Sequence, residues 1–474
     1  MTLVSVAEAL AAIAKDSPER EALRLDGVET LTTMQLERNS NRLAHYFAGL
    51  GVEEGDFVTI ALPNGLRFVE AVFAVWKLGA TPQPVSSRLP GVELEAIVEL
   101  AAPALVLGVD PQRLPDHKVL PADFTVPEGV ADDPHPIRFA RYNRAPTSGG
   151  STGRPKLIVD QRPAAVHPDP FLPENTAVVV PGPLYHTAPF SFVTRSLMLG
   201  NTVTIFERFD PESTLRAVVQ TNARFLYLVP TMMSRIWKLP AETRNRYDLT
   251  NLDTVFHTAA PCPAWLKRHW IDWVGDALVE LYSSTEGAGK LVIRGRDWLA
   301  HPGSVGQPLS GDEIRILDDD GREVPSGTIG NVFMRSSAER DFTYFGAEKP
   351  ESVDGFVTVG DLGHVDGEGY LYLADRRKDL ILRGGANIFP AEVEAALEAH
   401  EAVRSVAVVG VDDPDLGQRV HAFIDAPVGV DETELRSFVA NRLVSYKCPS
   451  TYEFVDQPIR DDAGKVRRSA LRRT

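Results

Sequence analysis

Thr147-Ser-Gly-Gly-Ser-Thr-Gly-Arg-Pro-Lys156 gathers three glycines, several hydroxyl side chains and a terminal Lys into ten residues. Glycines let backbone N–H groups turn toward an anion and approach it closely, hydroxyls rotate to donate, and a Lys adds a mobile positive charge. Such a stretch is either a phosphate-binding loop or a Ser/Gly-rich surface loop, and its flanks help to decide. A P-loop runs from Gly-Lys-Ser/Thr straight into a helix. Here Pro155 precedes Lys156, Leu157 stands where a Mg-binding hydroxyl would, and Leu157-Ile-Val159 reads as a strand. Upstream, Ile137-Arg-Phe-Ala-Arg-Tyr142 alternates like another strand, so the loop is expected to join two strands as a hairpin does. A helix dipole is then not its main resource.

Working outward, short β-branched runs alternate with helical patterns. Phe57–Leu62 precedes a helix over Phe68–Leu78, Thr202–Phe206 precedes one near Pro211–Thr221, and Ala223–Val229 and Thr254–His257 repeat the arrangement. This rhythm predicts an α/β fold with parallel or mixed sheets covered by helices. Beyond about residue 379 it changes to helix Ala391–Ala399, strands Ser405–Val411 and Arg419–Ile424, and helix Glu432–Leu443, a compact α+β unit. Charged Arg376–Asp379 suits an exposed hinge. The expected division is a large N-terminal domain, residues 1–377, and a small mobile C-terminal domain, residues 378–474.

The Thr147–Lys156 loop closely resembles the phosphate motif of the adenylate-forming superfamily, which includes acyl-CoA synthetases, luciferases and adenylation domains of peptide synthetases. Further segments resemble that family's motifs in the same order: Tyr282-Ser-Ser-Thr-Glu-Gly287, Gly303-Ser-Val-Gly-Gln-Pro308, Gly360-Asp361, Asp375-Arg-Arg-Lys-Asp379 with Arg383-Gly-Gly-Ala-Asn-Ile388, and Gly464-Lys-Val-Arg467. The resemblance spans nearly the whole chain. It departs from the pattern at Gly149, where a hydroxyl is common, at Ser283, which replaces a Gly, and at Asp375, which replaces the Gly before the ribose Arg.

The resemblance implies an ATP-dependent carboxylic acid:CoA ligase of the acid–CoA ligase branch, forming an acyl-adenylate and then a thioester with release of AMP and pyrophosphate. A carboxylate attacking the α-phosphorus of ATP brings two anions together, so positive charge must offset the repulsion and stabilise the leaving pyrophosphate. Thr147, Ser148, Gly150, Ser151, Thr152, Gly153 and Lys156 would hold the phosphates, and Glu286 would bind Mg²⁺ as a hard oxygen ligand. Thr285 would donate to the α-phosphate. Asp361 and Arg376 would hold the ribose, with Tyr282 against adenine and Ala259 and Ala260 opposite. Lys465 would bridge the carboxylate and α-phosphate. His186 would border the acyl pocket and gate coenzyme A; Lys378 is the hinge, and Gly384 and Gly385 match the loop beside the pantetheine arm. Standing alone, each has a plainer reading: Thr285-Glu286 as a helix cap and first-turn acid, Lys465 as part of a basic tail, Tyr282 as core, Gly384-Gly385 as a tight turn.

Composition agrees with a soluble enzyme. The 474 residues are 43% hydrophobic and carry a net charge of −16, which allows a large core and argues against general nucleic-acid binding. No apolar run approaches a membrane span, and the first residues lack a basic region before apolar ones, which points to the cytoplasm. The two cysteines, Cys262 and Cys448, fit no disulfide framework or zinc motif. The expected partners are a small carboxylic acid, ATP and CoA, with a homodimer left open. Leu184–Ser191 holds no Asp for an α-amine, which favours an apolar acid (fatty, aromatic or bulky ring acid) over an amino acid, and Phe190, Phe192, Tyr227, Met232 and Met233 would either line its tunnel or fill core. Two rivals remain: loading of the acyl group onto a carrier-protein pantetheine, and a non-catalytic nucleotide- or acyl-binding protein of the same fold.

Overall fold

The computed structural model describes residues 3–149, 155–167, 169–337, 342–349, 352–384, 386–461, 464–466 and 468–471. Its largest sheet is built on Val/Ile/Leu/Phe-rich runs buried on both faces, the composition of parallel strands. Strands Glu21–Leu25, Thr202–Ile205, Ala177–Val180, Phe225–Leu228, Thr254–His257 and Leu278–Ser283 lie side by side in that spatial order, all parallel. Antiparallel strands extend both edges: Glu29–Thr32 at one, and Lys290–Arg294 with Gln307–Pro308 at the other. A second parallel sheet, Thr81–Pro84, Phe57–Ile60, Leu105–Leu107 and Val119–Leu120, packs through the almost wholly buried helix Leu66–Lys77 into the same core.

Local chemistry sets the helix starts. Asp210 accepts from the Ser213 amide and Pro211 occupies the first turn, so the predicted helix runs Pro211–Gln220. Helix Thr187–Met198 lies on the main sheet through Phe192, whose ring centroid is 5.1 Å from that of Phe225 and 4.8 Å from that of Phe256.

Residues 381–454 form the expected α+β unit. Ala386–Ile388, Ile381–Arg383, Gly417–Asp425 and Ser405–Asp413 make an antiparallel sheet, with Thr451–Phe454 added parallel to Gly417–Asp425. Helices Pro390–Glu398 and Glu432–Ala440 bury Val393, Leu397, Leu435 and Val439 in a separate core. No helix among the described residues is long and apolar enough to cross a membrane.

One expectation fails. Ile137–Tyr142 is irregular, and Ile137 and Phe139 are exposed (59% and 39%), so their alternation meets no surface to pack on. Pro134 and Pro136 also remove amide donors just upstream. The strand entering the Gly-rich loop is instead Thr147–Gly149 itself, paired antiparallel with Pro155–Asp160.

Candidate active site

The hairpin pairs Thr147 with Leu157 and Ser148 with Lys156, which places the loop between two fixed strand ends. Gly150, Ser151, Thr152 and Gly153 lie outside the described residues, as does the side chain of Ser148. Thr147 Oγ1 is buried with no hydrogen-bond partner among the described residues, an unfilled donor at the loop's root. On its other side Pro155–Asp160 pairs with Phe342–Phe345, which brings in a residue that the sequence reading missed, Tyr344. Lys156 Nζ stands 3.6 Å from the centre of the Tyr344 ring and 3.5 Å from Glu286 Oε1, and the Tyr344 hydroxyl donates to the same oxygen. Burial lowers the pKa of Lys156, Glu286 raises it, and Arg376 adds a further lowering. Burial and the bond to Glu286 push the Tyr344 phenol up. The ammonium is thus held between a carboxylate and an aromatic face, aimed by both.

Glu286 sits just beyond strand Leu278–Ser283, in a turn closed by the Gly287 amide to the Ser284 carbonyl at 3.0 Å, with Gly287 at φ +69°. No helix begins there, so Thr285 and Glu286 are not a cap and its first-turn acid. Oε2 of Glu286 accepts from no described residue. Among the described residues no group of three His, Cys, Asp or Glu side chains could hold a metal ion. A lone free carboxylate oxygen beside a phosphate loop fits Mg²⁺, which is commonly held by one or two carboxylates plus substrate phosphates.

Tyr282, at the end of the same strand, donates through its hydroxyl to Asp361 Oδ2 at 2.6 Å, while Arg376 Nε donates to Asp361 Oδ1 at 3.2 Å. Asp361 and Arg376 are cross-strand partners on Phe356–Val365 and Leu371–Arg376, so register alone sets them opposite one another. Asp361 is 8% exposed, and burial together with its charge drives the Tyr282 pKa well up. Next to this group, Thr258 Oγ1 donates to the Leu281 carbonyl at 2.7 Å and Ala259 follows at φ +80°. A non-glycine residue there costs roughly 1–3 kcal/mol, a strain that clusters at functional sites. Ala259 is exposed and Ala260 half-buried, both on the carboxyl side of strand Thr254–His257.

His186 occupies the N-cap position of helix Thr187–Met198 without capping it, and its Nε2 is buried and unpartnered among the described residues. Burial, then the charge of Lys465, push its pKa down to about 3, so the imidazole is neutral at physiological pH. That coupling shows where the chain's last segment lies. A small hairpin, with the Lys465 carbonyl accepting from the Asp461 amide at 2.9 Å, sets Gly464 against Thr231; a Cβ on Gly464 would stand 3.1 Å from Thr231 Oγ1. Crowding around its ammonium lowers the pKa of Lys465 although the residue as a whole remains exposed; Asp461 raises it, Arg376 lowers it and Glu286 raises it. Lys465 therefore lies within the field of the groups that flank the phosphate loop. Arg467 and Gly385 lie outside the described residues.

Lys378 is exposed in a one-turn helix, Arg377–Asp379, but Asp379 is buried, so the charged Arg376–Asp379 segment is not exposed throughout. Gly384, at φ +56°, donates its amide to the Leu416 carbonyl at 2.7 Å and stands apart from the groups above. Asp375, read only as a departure from a motif, accepts from the Ala391 amide at 2.9 Å and the Arg376 amide at 2.7 Å, fastening the end of strand Leu371–Arg376 to the start of helix Pro390–Glu398. Phe190, Phe192, Tyr227, Met232 and Met233 are all buried in the main core.

Comparison with known proteins gives the family of the chain and relatives of its fold. The model of the AMP-binding enzyme family matches residues 10–338, and that of the AMP-binding enzyme C-terminal domain matches 392–465. A feruloyl-CoA synthase from Amycolatopsis sp is 33% identical, with 97% of each chain covered. A 2-succinylbenzoate–CoA ligase from Bacillus licheniformis is 30% identical, over 96% of this chain and 97% of the relative. The solved o-succinylbenzoate CoA synthetase from Bacillus subtilis, in complex with its acyl-adenylate intermediate, superposes with a TM-score of 0.84 at 25% identity, covering 99% of this chain and 98% of that one.

Proposed function

Since the chain belongs to the AMP-binding enzyme family, we propose that it is an ATP-dependent carboxylic acid:CoA ligase acting on an apolar acid. The observation that carries this reading is that the Asp461–Lys465 turn packs Gly464 against Thr231 and leaves Lys465 within the field of Glu286 and Arg376 beside the phosphate hairpin. Nucleotide binding alone does not require that cation; an attack by one anion on another does.

In the proposed mechanism the substrate carboxylate attacks the α-phosphorus of ATP and pyrophosphate leaves. Lys156, aimed by Glu286 and Tyr344, neutralises the β- and γ-phosphates. Glu286 would hold Mg²⁺ through Oε2; the ion, when bound, supplies charge neutralisation across the phosphates. Thr285 donates to the α-phosphate, Lys465 spans the carboxylate and that phosphate, and Asp361 with Arg376 takes the ribose hydroxyls. Tyr282, Ala259 and Ala260 flank adenine. His186, neutral at working pH, adds no charge to oppose Lys465. In a second step the CoA thiol displaces AMP from the acyl carbon. For this, residues 378–474 turn about Lys378, withdrawing Lys465 and bringing Gly384 and Gly385 to the pantetheine arm. Glycine suits that place because a thin chain must pass close to backbone. Curated relatives named for feruloyl-CoA and 2-succinylbenzoate–CoA synthesis favour free CoA as the acceptor.

The test is detection of AMP and pyrophosphate across fatty, aromatic and steroid acids, each with and without CoA. A thioester with one acid class supports the ligase. Adenylate without transfer to CoA points to carrier loading, and ATP binding with no turnover on any acid rejects the reading.

A further inference from the structure

Tyr227 stands apart from the aromatic side chains around it. Phe192, Phe225 and Phe256 pack with it between helix Thr187–Met198 and the main sheet, its centroid lying 5.4 Å from that of Phe192. These neighbours carry no polar atom. Tyr227 carries a hydroxyl and is 1% exposed; among the described residues that hydroxyl has no hydrogen-bond partner, yet it is not one of the fully enclosed unpartnered atoms, so it opens onto space. Buried Tyr hydroxyls ordinarily find one, and in a sealed core Phe would serve better.

Its position says where a partner would come from. Leu226 pairs with Val179, so Tyr227 is level with Val180, the last residue of strand Ala177–Val180. Ligands of open parallel sheets bind beyond those carboxyl ends. The loop that follows, Pro181–His186, covers the ring: a Cβ on Gly182 would stand 3.1 Å from Tyr227 Cε1 and 2.7 Å from Pro189 Cγ. Asn64 fixes that loop, donating to the Gly182 carbonyl at 3.2 Å and accepting from the Leu184 amide at 2.9 Å. The same loop ends at His186, with its own unpartnered Nε2. A trapped water is a poor alternative, because it needs two to four polar partners and the side chains of Phe192 and Pro189 offer it none.

We propose that Tyr227 is a specificity-determining residue whose hydroxyl donates to an oxygen on the body of the acid, making the substrate a planar ring acid with a hydrogen-bond acceptor remote from its carboxylate. This rests on the ligase reading above and narrows it. A site built to pair a polar group rejects the analogue that leaves it unpaired.

The experiment compares isosteric acids, 4-methoxybenzoic with 4-ethylbenzoic and 4-methoxycinnamic with 4-ethylcinnamic acid, in the full-length protein and in Tyr227→Phe. It follows both pyrophosphate release and equilibrium binding in the presence of a non-hydrolysable ATP analogue. The methoxy acid of at least one pair is expected to have a kcat/KM on the order of tenfold higher and to bind correspondingly tighter. Tyr227→Phe should erase that preference, leave the ethyl acid's kcat/KM within about twofold, and keep the melting temperature, because no internal bond is lost. Equal binding of both members, a preference that survives in Tyr227→Phe, or no binding of any of the four acids overturns the assignment. A binding preference that Tyr227→Phe abolishes, without pyrophosphate release, sustains Tyr227 and rejects the ligase reading instead.

Discussion

Replacing Lys465 by Ala should separate adenylation from everything else the protein does. The Asp461–Lys465 hairpin is closed by backbone bonds and by the Lys465 amide to Asp461 Oδ1 at 2.8 Å, none of which involves the ammonium. Folding should therefore survive. In the free protein the cation is attracted by Asp461 and Glu286 and repelled by Arg376, opposed effects that partly cancel, so its removal should change ATP affinity less than about threefold. At the transition state no such cancellation holds, because negative charge gathers between the carboxylate and the α-phosphate. Loss of one pre-aimed charge there costs about 2.7–4 kcal/mol, or on the order of 10²–10³ in rate. Thioester formation from supplied acyl-adenylate and CoA should persist. Because the Lys465 pKa is lowered, its cation is lost at a lower pH than an ordinary Lys, and wild-type adenylation should fall on the alkaline side accordingly. ATP–pyrophosphate exchange, nucleotide titration and the adenylate-to-thioester half-reaction measure these quantities. Exchange within threefold of wild type would refute the role given to Lys465.

Three further outcomes are expected. His257 is fully buried with both ring nitrogens unpartnered among the described residues, and its pKa is pushed from 6.5 to about 4, chiefly by burial. The unfolded chain then binds the extra proton first, so about 3 kcal/mol of stability should be lost as pH falls from about 6.5 to about 4. Denaturant titrations of His257→Leu should show a shallower acid loss. Gly306→Ala should lower stability by about 3 kcal/mol and reduce the soluble yield, since φ is +100° and the new Cβ would meet the Val292 carbonyl oxygen at 2.1 Å; thermal melting checks it. Asp375→Ala removes the acceptor of the Ala391 and Arg376 amides, and pyrophosphate exchange should fall about fivefold while the thioester half-reaction does not.

Much of this fold is written in local pattern. The parallel strands are short apolar runs, and Asp210-Pro211 announces its helix by capping chemistry. The phosphate loop was legible as a hairpin, but one arm was misassigned. Ile137–Tyr142 has the alternation of a strand and no sheet to join, whereas Thr147-Ser-Gly149 has turn composition and becomes a strand because Pro155–Asp160 supplies its ladder. Pairing of that kind is a tertiary fact, and tertiary context outweighs β-propensity. Tyr344 was missed for the same reason: nothing near it in sequence marks it, and only the Phe342–Phe345 strand pairing carries it over Lys156. The positive φ of Ala259 was equally hidden, because Ala gives no sign of strain.

The residues that the motifs did identify differ from these in kind. Lys156, Glu286, Asp361, Arg376 and Lys465 are charged groups whose value depends on where the others stand, and single-residue readings favoured solvation or capping for several of them. The structure removes the cap reading of Thr285-Glu286, since no helix begins there, and couples Lys465 to the charges beside the phosphate loop rather than to solvent alone. Asp361 takes Tyr282 on one oxygen and Arg376 on the other, so both oxygens are held in place before any ligand arrives. Preorganisation of this sort lowers the cost of ordering at the moment of reaction. It also explains why the order of motifs along the chain outweighed the composition of any one of them: chain order reflects a topology that brings distant strand ends together, and that convergence is where the chemistry resides.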